Sequence, residues 1–175
     1  MIGPAWSVRR LADVDEKQID ELATVLIDVV EGGAAVGFMM PMTRDRAVSF
    51  WNRVAEDVAV GKRVLLIAED DLGVCGTVQL ILDLPDNQPH RADLAKMLVH
   101  RRSRRQGLAT ELLRAAEAAA RDSGRTLLVL DAVTEGDAAR LYERLGWVRV
   151  GEIPGYALMP EGGLCGTTYY YRQLS

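Results

Sequence analysis

Four arginines, Arg101, Arg102, Arg104 and Arg105, stand within five positions in the run RRSRRQGLA (101–109). A strand-like segment precedes them and a helix-like segment follows. A helix start presents backbone N–H groups without acceptors, at the positive end of the helix dipole. Gly107 lets the main chain approach a ligand where a side chain would block it, and Ala109 keeps the neighbouring position small. Successive N–H groups flanked by arginines suit a pyrophosphate. The spacing Arg104-x-x-Gly107-x-Ala109 lacks the Gly-Lys-Ser/Thr tail of a P-loop and the three glycines of a dinucleotide fingerprint. Two other readings stand beside the cradle: a solvated basic turn, and a nucleic-acid surface. The second is disfavoured, because no aromatic residues interleave with the arginines and the chain is otherwise acidic.

The flanking elements follow from periodicity. WSVRRLA (6–12) alternates as a strand. Residues 15–30 place Ile19, Leu22, Leu26 and Val29 or Val30 at helical spacing, stopped by Gly32-Gly33. Residues 32–42 read as a small, apolar loop, mobile or facing substrate. Thr43 caps a second helix, 43–61, with Val48, Trp51, Val54 or Ala55, and Val58 buried. Residues 62–70 and 73–83 form a hairpin, 84–91 is a turn-rich loop, and 92–100 is a strand. The helix at 107–122 has a thin face of Leu108, Leu112, Ala115, Ala116 and Ala119 that can sit close on a sheet. The near-continuous apolar strand 126–132 is central and covered on both faces. A short helix (137–146), a strand (147–153), a loop (154–166) and a last strand (167–174) complete the order. The pattern is that of a single mixed α/β domain with about four helices, two crossover units (92–132 and 126–151) and antiparallel pairing elsewhere.

Composition narrows the function classes. The chain has 175 residues, 49% apolar and 26% charged, as in an ordinary soluble domain with a real core. A net charge of −4 argues against a molecule built to coat nucleic acid or anionic lipid. Cys75 and Cys165 fit no metal spacing and read as thiols in a reducing compartment, although sequence does not exclude a disulfide. The N-terminal run lacks the apolar centre of a signal peptide, and no apolar run is long enough for a bilayer. A cytoplasmic protein is expected, with no metal.

The run LVHRRSRRQGLATELL resembles the acetyl-coenzyme A motif of the GNAT (Gcn5-related) N-acetyltransferases, Arg/Gln-x-x-Gly-x-Gly/Ala after a strand. AARLYERLGW (138–147) is similar to that family's A-x-x-L-Y-x-x-L-G-F. EGGAAVGFM (31–39), RADLAKMLV (91–99) and GEIPGYALMPEGGL (151–164) further resemble the tabtoxin-resistance type within the family. The resemblance implies a sheet whose central parallel strands splay, an acetyl-coenzyme A cofactor, and transfer of acetyl to an amine. It also implies a cofactor site made of Met97, Leu98, Val99, Arg104, Arg105, Gln106, Gly107, Leu108, Ala109, Thr110 and Tyr142.

By position in the family, the main-chain N–H of Met97 stabilises the oxyanion, while Leu98 and Val99 line the pantetheine arm. Tyr142 is the acid for the departing thiolate. An alkyl amine has a pKa of about 10 and must lose a proton before attack. Asp93 is the candidate base, Asp131 its rival at a strand C-terminus, and Glu69, His90 and Glu135 are weaker. Glu135 stands where many members carry a cofactor-contacting asparagine, so that role is not assigned. Substrate selection is expected from Gly33 to Met40, including Phe38 and Met39, from Trp51, and from Pro154 to Pro160, including Tyr156. Glu31, Asp131 and Glu152 would give an acidic mouth for a cationic amine. The partner expected is a small-molecule amine, an aminosugar such as kasugamycin or a tabtoxin-like amino acid. A protein amine, a non-catalytic coenzyme A sensor and a homodimer remain open.

Overall fold

The computed structural model describes residues 5–175. Its elements are β1 (Ser7–Leu11), α1 (Glu16–Glu31), α2 (Arg44–Ala59), β2 (Arg63–Asp70), β3 (Gly73–Ile81), β4 (Arg91–Val99), α3 (Leu108–Asp122), β5 (Leu127–Val133), α4 (Asp137–Arg144), β6 (Val148–Leu158) and β7 (Leu164–Gln173), with a 3-10 turn at Arg101–Ser103. Local chemistry sets the helix starts. Asp15 and Gln18 form a reciprocal capping box on α1, and the Thr43 hydroxyl accepts from the Arg46 N–H on α2.

The strands form one sheet in the order β1-β2-β3-β4-β5-β7-β6. All pairs are antiparallel except β4 with β5. The unit β4–α3–β5 is therefore a parallel crossover, as expected. In the second expected crossover, β5–α4–β6, β7 inserts between the two strands, so β6 forms the edge. The segment 154–166 is not a loop: β6 runs to Leu158 and β7 begins at Leu164, making a long hairpin. The sequence conceals this because Pro154 and Gly155 sit in an irregularity of the β6–β7 register between Ile153 and Ala157.

Each face of the sheet carries its own core. On one, Leu108, Leu112, Leu113 and Ala116 of α3 pack on Val64, Leu66, Val78, Leu80, Leu128 and Leu130, joined by Tyr142, Trp147 and Tyr170. Gly76 brings α3 close: a Cβ there would stand 3.1 Å from both Leu108 and Leu112. On the other face, Leu22, Leu26, Trp51 and Val54 of α1 and α2 pack on Leu65, Ile67, Val74 and Leu98. Fully burying such side chains is worth about 1.5–3 kcal/mol each.

A fault in β4 makes this division useful. Ala92 and Leu94 point to the α3 face, so strict alternation would send Lys96 and Leu98 there too. Instead the β3–β4 register slips by one residue between Gln79↔Ala95 and Thr77↔Leu98. Lys96 takes a left-handed conformation, with φ of 52°. Beyond this bulge Leu98 joins the α1–α2 core, while Met97 and Val99 pack on the α3 side.

Candidate active site

The parallel ladder is short. β4 and β5 pair only at Arg91↔Leu127, Ala92↔Leu128 and Asp93↔Val129. Among the described residues, past Asp93 β4 keeps β3 as its sole strand partner, and past Val129 β5 keeps only β7. The strands therefore part at their C-terminal ends, and the slot between them holds Met97, Leu98 and Val99 on one wall. A strand edge in a splayed sheet offers backbone N–H and C=O groups already fixed in place. This is the arrangement an oxyanion donor at Met97 needs.

At the mouth of this slot lies the arginine turn. Arg105 and Gly107 have φ of 60° and 83°, and α3 begins at Leu108 with no side-chain cap. Among the described residues, the N–H groups of Arg105, Gln106, Gly107, Leu108, Ala109 and Thr110 find no acceptor, whereas that of Glu111 reaches the Gly107 carbonyl at 3.2 Å. A Cβ on Gly107 would meet nothing within 4 Å, so the space in front of the turn is open. Concave successive N–H groups at a helix start make an anion site. The diphosphate of coenzyme A fits these residues.

The four arginines divide their work. Arg101 donates from its backbone N–H to Asp28 Oδ2 (2.9 Å) and from its side chain to Asp28 Oδ1. Arg102 donates to Asp70 (2.8 and 3.2 Å) and to the carbonyls of Gly73 (3.3 Å) and Val74 (2.9 Å). The Arg102 hydrogen bond holds the Asp70 carboxyl below its ordinary range. These two are anchors that tie the turn to α1 and to the β2–β3 turn. Arg104 and Arg105 are exposed, and among the described residues the Arg104 side chain bonds only the Val99 carbonyl, at 3.1 Å. They are the pair left to meet an anion.

Tyr142 stands on the α4 side, 4% exposed, its ring 5.7 Å from that of Trp147 and 6.0 Å from that of Tyr170. Burial, and then the Asp131 charge, push its phenol well above the usual tyrosine value. On the opposite face stand Asp131, Tyr156 and Tyr169. Asp131 is exposed and accepts weakly from Thr167 Oγ1 (3.4 Å). Its charge reaches Tyr142, Tyr169 and Lys96. Tyr156 and Tyr169 share a hydroxyl hydrogen bond of 3.0 Å, which, with burial, pushes Tyr169 up to about 12. Asp93 is ion-paired to Arg91 from its own strand, which leaves Asp131 the freer carboxylate.

Phe38 reaches this cleft, edge-on to Phe50 at 5.2 Å. The Met40 N–H donates to the Pro160 carbonyl at 2.9 Å, so the 32–42 segment meets the β6–β7 hairpin tip above it. Met39 is partly exposed beside that bridge. Gly33 closes α1, its N–H on the Val30 carbonyl at 3.0 Å.

Two expected substrate residues are displaced. Trp51 is fully buried between α2 and the sheet, so its neighbour Phe50 faces the cleft instead. Glu152 pairs with Thr168, which puts it on the α4 face, opposite Asp131, near Arg149 at 3.9 Å. Among the weaker bases, Glu69 is paired to Arg9 (2.8 Å), and His90 and Glu135 are exposed. Leu108 is core, so only its N–H is available. Both cysteines are free, Cys75 buried and its thiol pushed up by burial. Sequence reading overlooked Lys96 and Phe50. The signal for Lys96 was a lysine on what alternation makes a buried face.

Comparison with known proteins agrees with this geometry. The family described as "Acetyltransferase (GNAT) domain" matches residues 61–149, half of the chain, including β4, the arginine turn, β5 and α4. Among solved structures, yncA from Salmonella typhimurium, which holds acetyl-CoA as cofactor, superposes with a TM-score of 0.78 at 18% identity, covering 98% of this chain and 95% of that one. The ribosomal-protein-alanine N-acetyltransferase of Brucella melitensis gives 0.81 at 17% identity, covering 96% and 99%. A GCN5-related N-acetyltransferase from Kribbella flavida gives 0.78 at 22%, covering 97% and 98%. With its splayed β4 and β5 and its unsatisfied N–H groups at the start of α3, the chain belongs to the GNAT acetyltransferase family.

Proposed function

We propose that this protein is an acetyl-coenzyme A-dependent N-acetyltransferase acting on a small-molecule amine. The observation that carries the donor half is the run of N–H groups at Arg105–Thr110 without acceptors, beside a slot between β4 and β5. Backbone N–H groups of that turn, with Arg104 and Arg105, would hold the diphosphate, and Leu98 and Val99 would line the arm. Acetyl-coenzyme A, when bound, supplies an acetyl thioester in the slot.

The chain's own groups supply the rest. Asp131 accepts the proton that an ammonium must lose before it is nucleophilic, and its charge holds that ammonium in the cleft. The Met97 N–H, fixed in the strand, is a donor for developing negative charge on oxygen. Tyr142 holds a proton at its hydroxyl on the other side of the slot. Burial raises the basicity of a thiolate leaving in the same surroundings, as it raises that of Tyr142.

The acceptor is a small amine of the antibiotic or toxin class, a tabtoxin-like amino acid or an aminosugar. The Met40–Pro160 bridge supports this, since it narrows the approach a macromolecule would need. A protein amine is the second reading, favoured by the similarity to the Brucella enzyme. Among the described residues no helix is long and apolar enough to cross a membrane, and the cytoplasm is the compartment proposed. Edge strand β6, with Val148 and Val150 exposed, is where a second copy would pair.

The test is a screen of small amines for acetyl-coenzyme A-dependent thiol release, with Tyr142→Phe alongside. Turnover that falls in the variant while donor affinity holds supports the enzyme. Donor binding without transfer to any amine makes the protein a sensor.

A further inference from the structure

The cleft contains a cation that the catalytic reading does not use. Lys96 stands at the β4 bulge, and its left-handed backbone turns the side chain away from the α3 core toward the acceptor face. Its ammonium lies 5.8 Å from the centroids of both Phe38 and Phe50. A Cβ on Gly37 would be 3.5 Å from Nζ, so the 32–42 segment passes directly over it. Among the described residues, no carboxylate lies within ion-pair distance of Nζ and no side chain or carbonyl hydrogen-bonds it. Burial lowers the Lys96 pKa, and Asp131 opposes that shift only from a distance.

A half-hidden ammonium gains from aromatic faces, yet it keeps three donors that need acceptors. The strand is deformed to place it there, and among the described residues no anion pairs with it directly. Asp131 faces the same cleft with the opposite charge. The two together form a dipolar site, carboxylate on the β5 side and ammonium at the β4 bulge.

We propose that Lys96 recognises a carboxylate-type anion on the acceptor, so that the acceptor is a small amine that also carries a negative group, and not a polycation. The inference rests on the acetyltransferase reading and narrows it. The acceptor's ammonium is held by Asp131 and its anion by Lys96, which fixes which amine is presented to the slot. A charge-assisted hydrogen bond in a partly desolvated site gives about 10- to 100-fold discrimination.

The experiment uses acceptors in pairs: free amino acids of graded chain length, their carboxamides, and a polycationic aminoglycoside. Thiol release is measured for the wild type, Lys96→Met and Lys96→Arg, and acetyl-coenzyme A binding is followed by calorimetry. The wild type is expected to favour carboxylates over carboxamides by about 10- to 100-fold in kcat/KM. Lys96→Met should bring that ratio near unity, through KM, and Lys96→Arg should keep part of it. The wild-type preference is read without any variant, so a poorly folded Lys96→Met does not spoil the test. Equal use of carboxamides or the aminoglycoside overturns the inference and leaves the acetyltransferase standing. So does an equal loss on all acceptors in Lys96→Met. Donor binding with transfer to none of them overturns this inference, and transfer to no amine at all also makes the protein a sensor. No donor binding at all overturns the acetyltransferase reading, and this inference with it.

Discussion

The proposed donor end and the proposed acceptor end of the cleft meet at β4, but they are made of different material. At the donor end the working groups are peptide N–H groups of Arg105–Thr110, set by two left-handed residues and a helix start. At the acceptor end they are side chains from four separate places: Phe38, Phe50, Lys96 and Asp131. A backbone site depends on conformation and tolerates most side-chain changes except at its glycine. A side-chain site is retuned one residue at a time. The same donor can thus serve proteins whose acceptors differ.

The contrast is broken most severely at Gly107. Gly107→Val forces a branched side chain to φ of 83° and fills the open space before the turn. Donor affinity, measured by calorimetry, should fall by about 100-fold or more, the scale of two or more lost charge-assisted hydrogen bonds. Next is Tyr142→Phe, which should lower kcat by about 100-fold, as for loss of a general acid, with donor affinity retained. If affinity falls as much as kcat, Tyr142 only supports the slot.

On the acceptor side, Asp131→Asn should reduce kcat/KM by about 10- to 100-fold, and Asp93→Asn by less, because Arg91 already holds Asp93. The reverse ranking would make Asp93 the proton acceptor. Within the arginine turn, Arg102→Ala should cost about 2 kcal/mol of stability by denaturant unfolding, since it leaves the half-buried Asp70 without its partner. Arg105→Ala should leave stability unchanged and weaken donor binding a few-fold, most visibly at low salt.

The smallest effect is on alkaline stability. Folded Tyr142 and Tyr169 both titrate above the ordinary phenol value, Tyr169 at about 12. The unfolded chain releases these protons near pH 10, while the folded one keeps them. Stability from this source is therefore full below pH 10 and is lost as pH rises from 10 to 12. Tyr169→Phe should shallow that decline in thermal melts taken across this range, and an unchanged slope would remove Tyr169 from the account.

The turn and helix start proposed to hold the donor were legible in sequence because their signals are local. Glycine, arginine and the helix start lie within ten residues, and AARLYERLGW fixes α4 and Tyr142. The acceptor end was hidden by register. Whether Glu152 faces Asp131 or α4 is decided by its pairing with Thr168, and whether Lys96 is inside or in the cleft is decided by a one-residue slip against β3. Parity of this kind depends on strands distant in sequence. Trp51 was expected both in the buried stripe of α2 and at the substrate; it is fully buried, as helical spacing gives, and the ring on the cleft is that of its neighbour Phe50.

The most direct measurement is a backbone amide NMR titration of the protein with acetyl-coenzyme A. The account predicts that the signals of Arg105–Thr110 move most, with those of Met97 to Val99 following and the anchors' partners Asp28 and Asp70 little affected. Signals of the turn that stay in place while others move, or a titration that moves none, would contradict it.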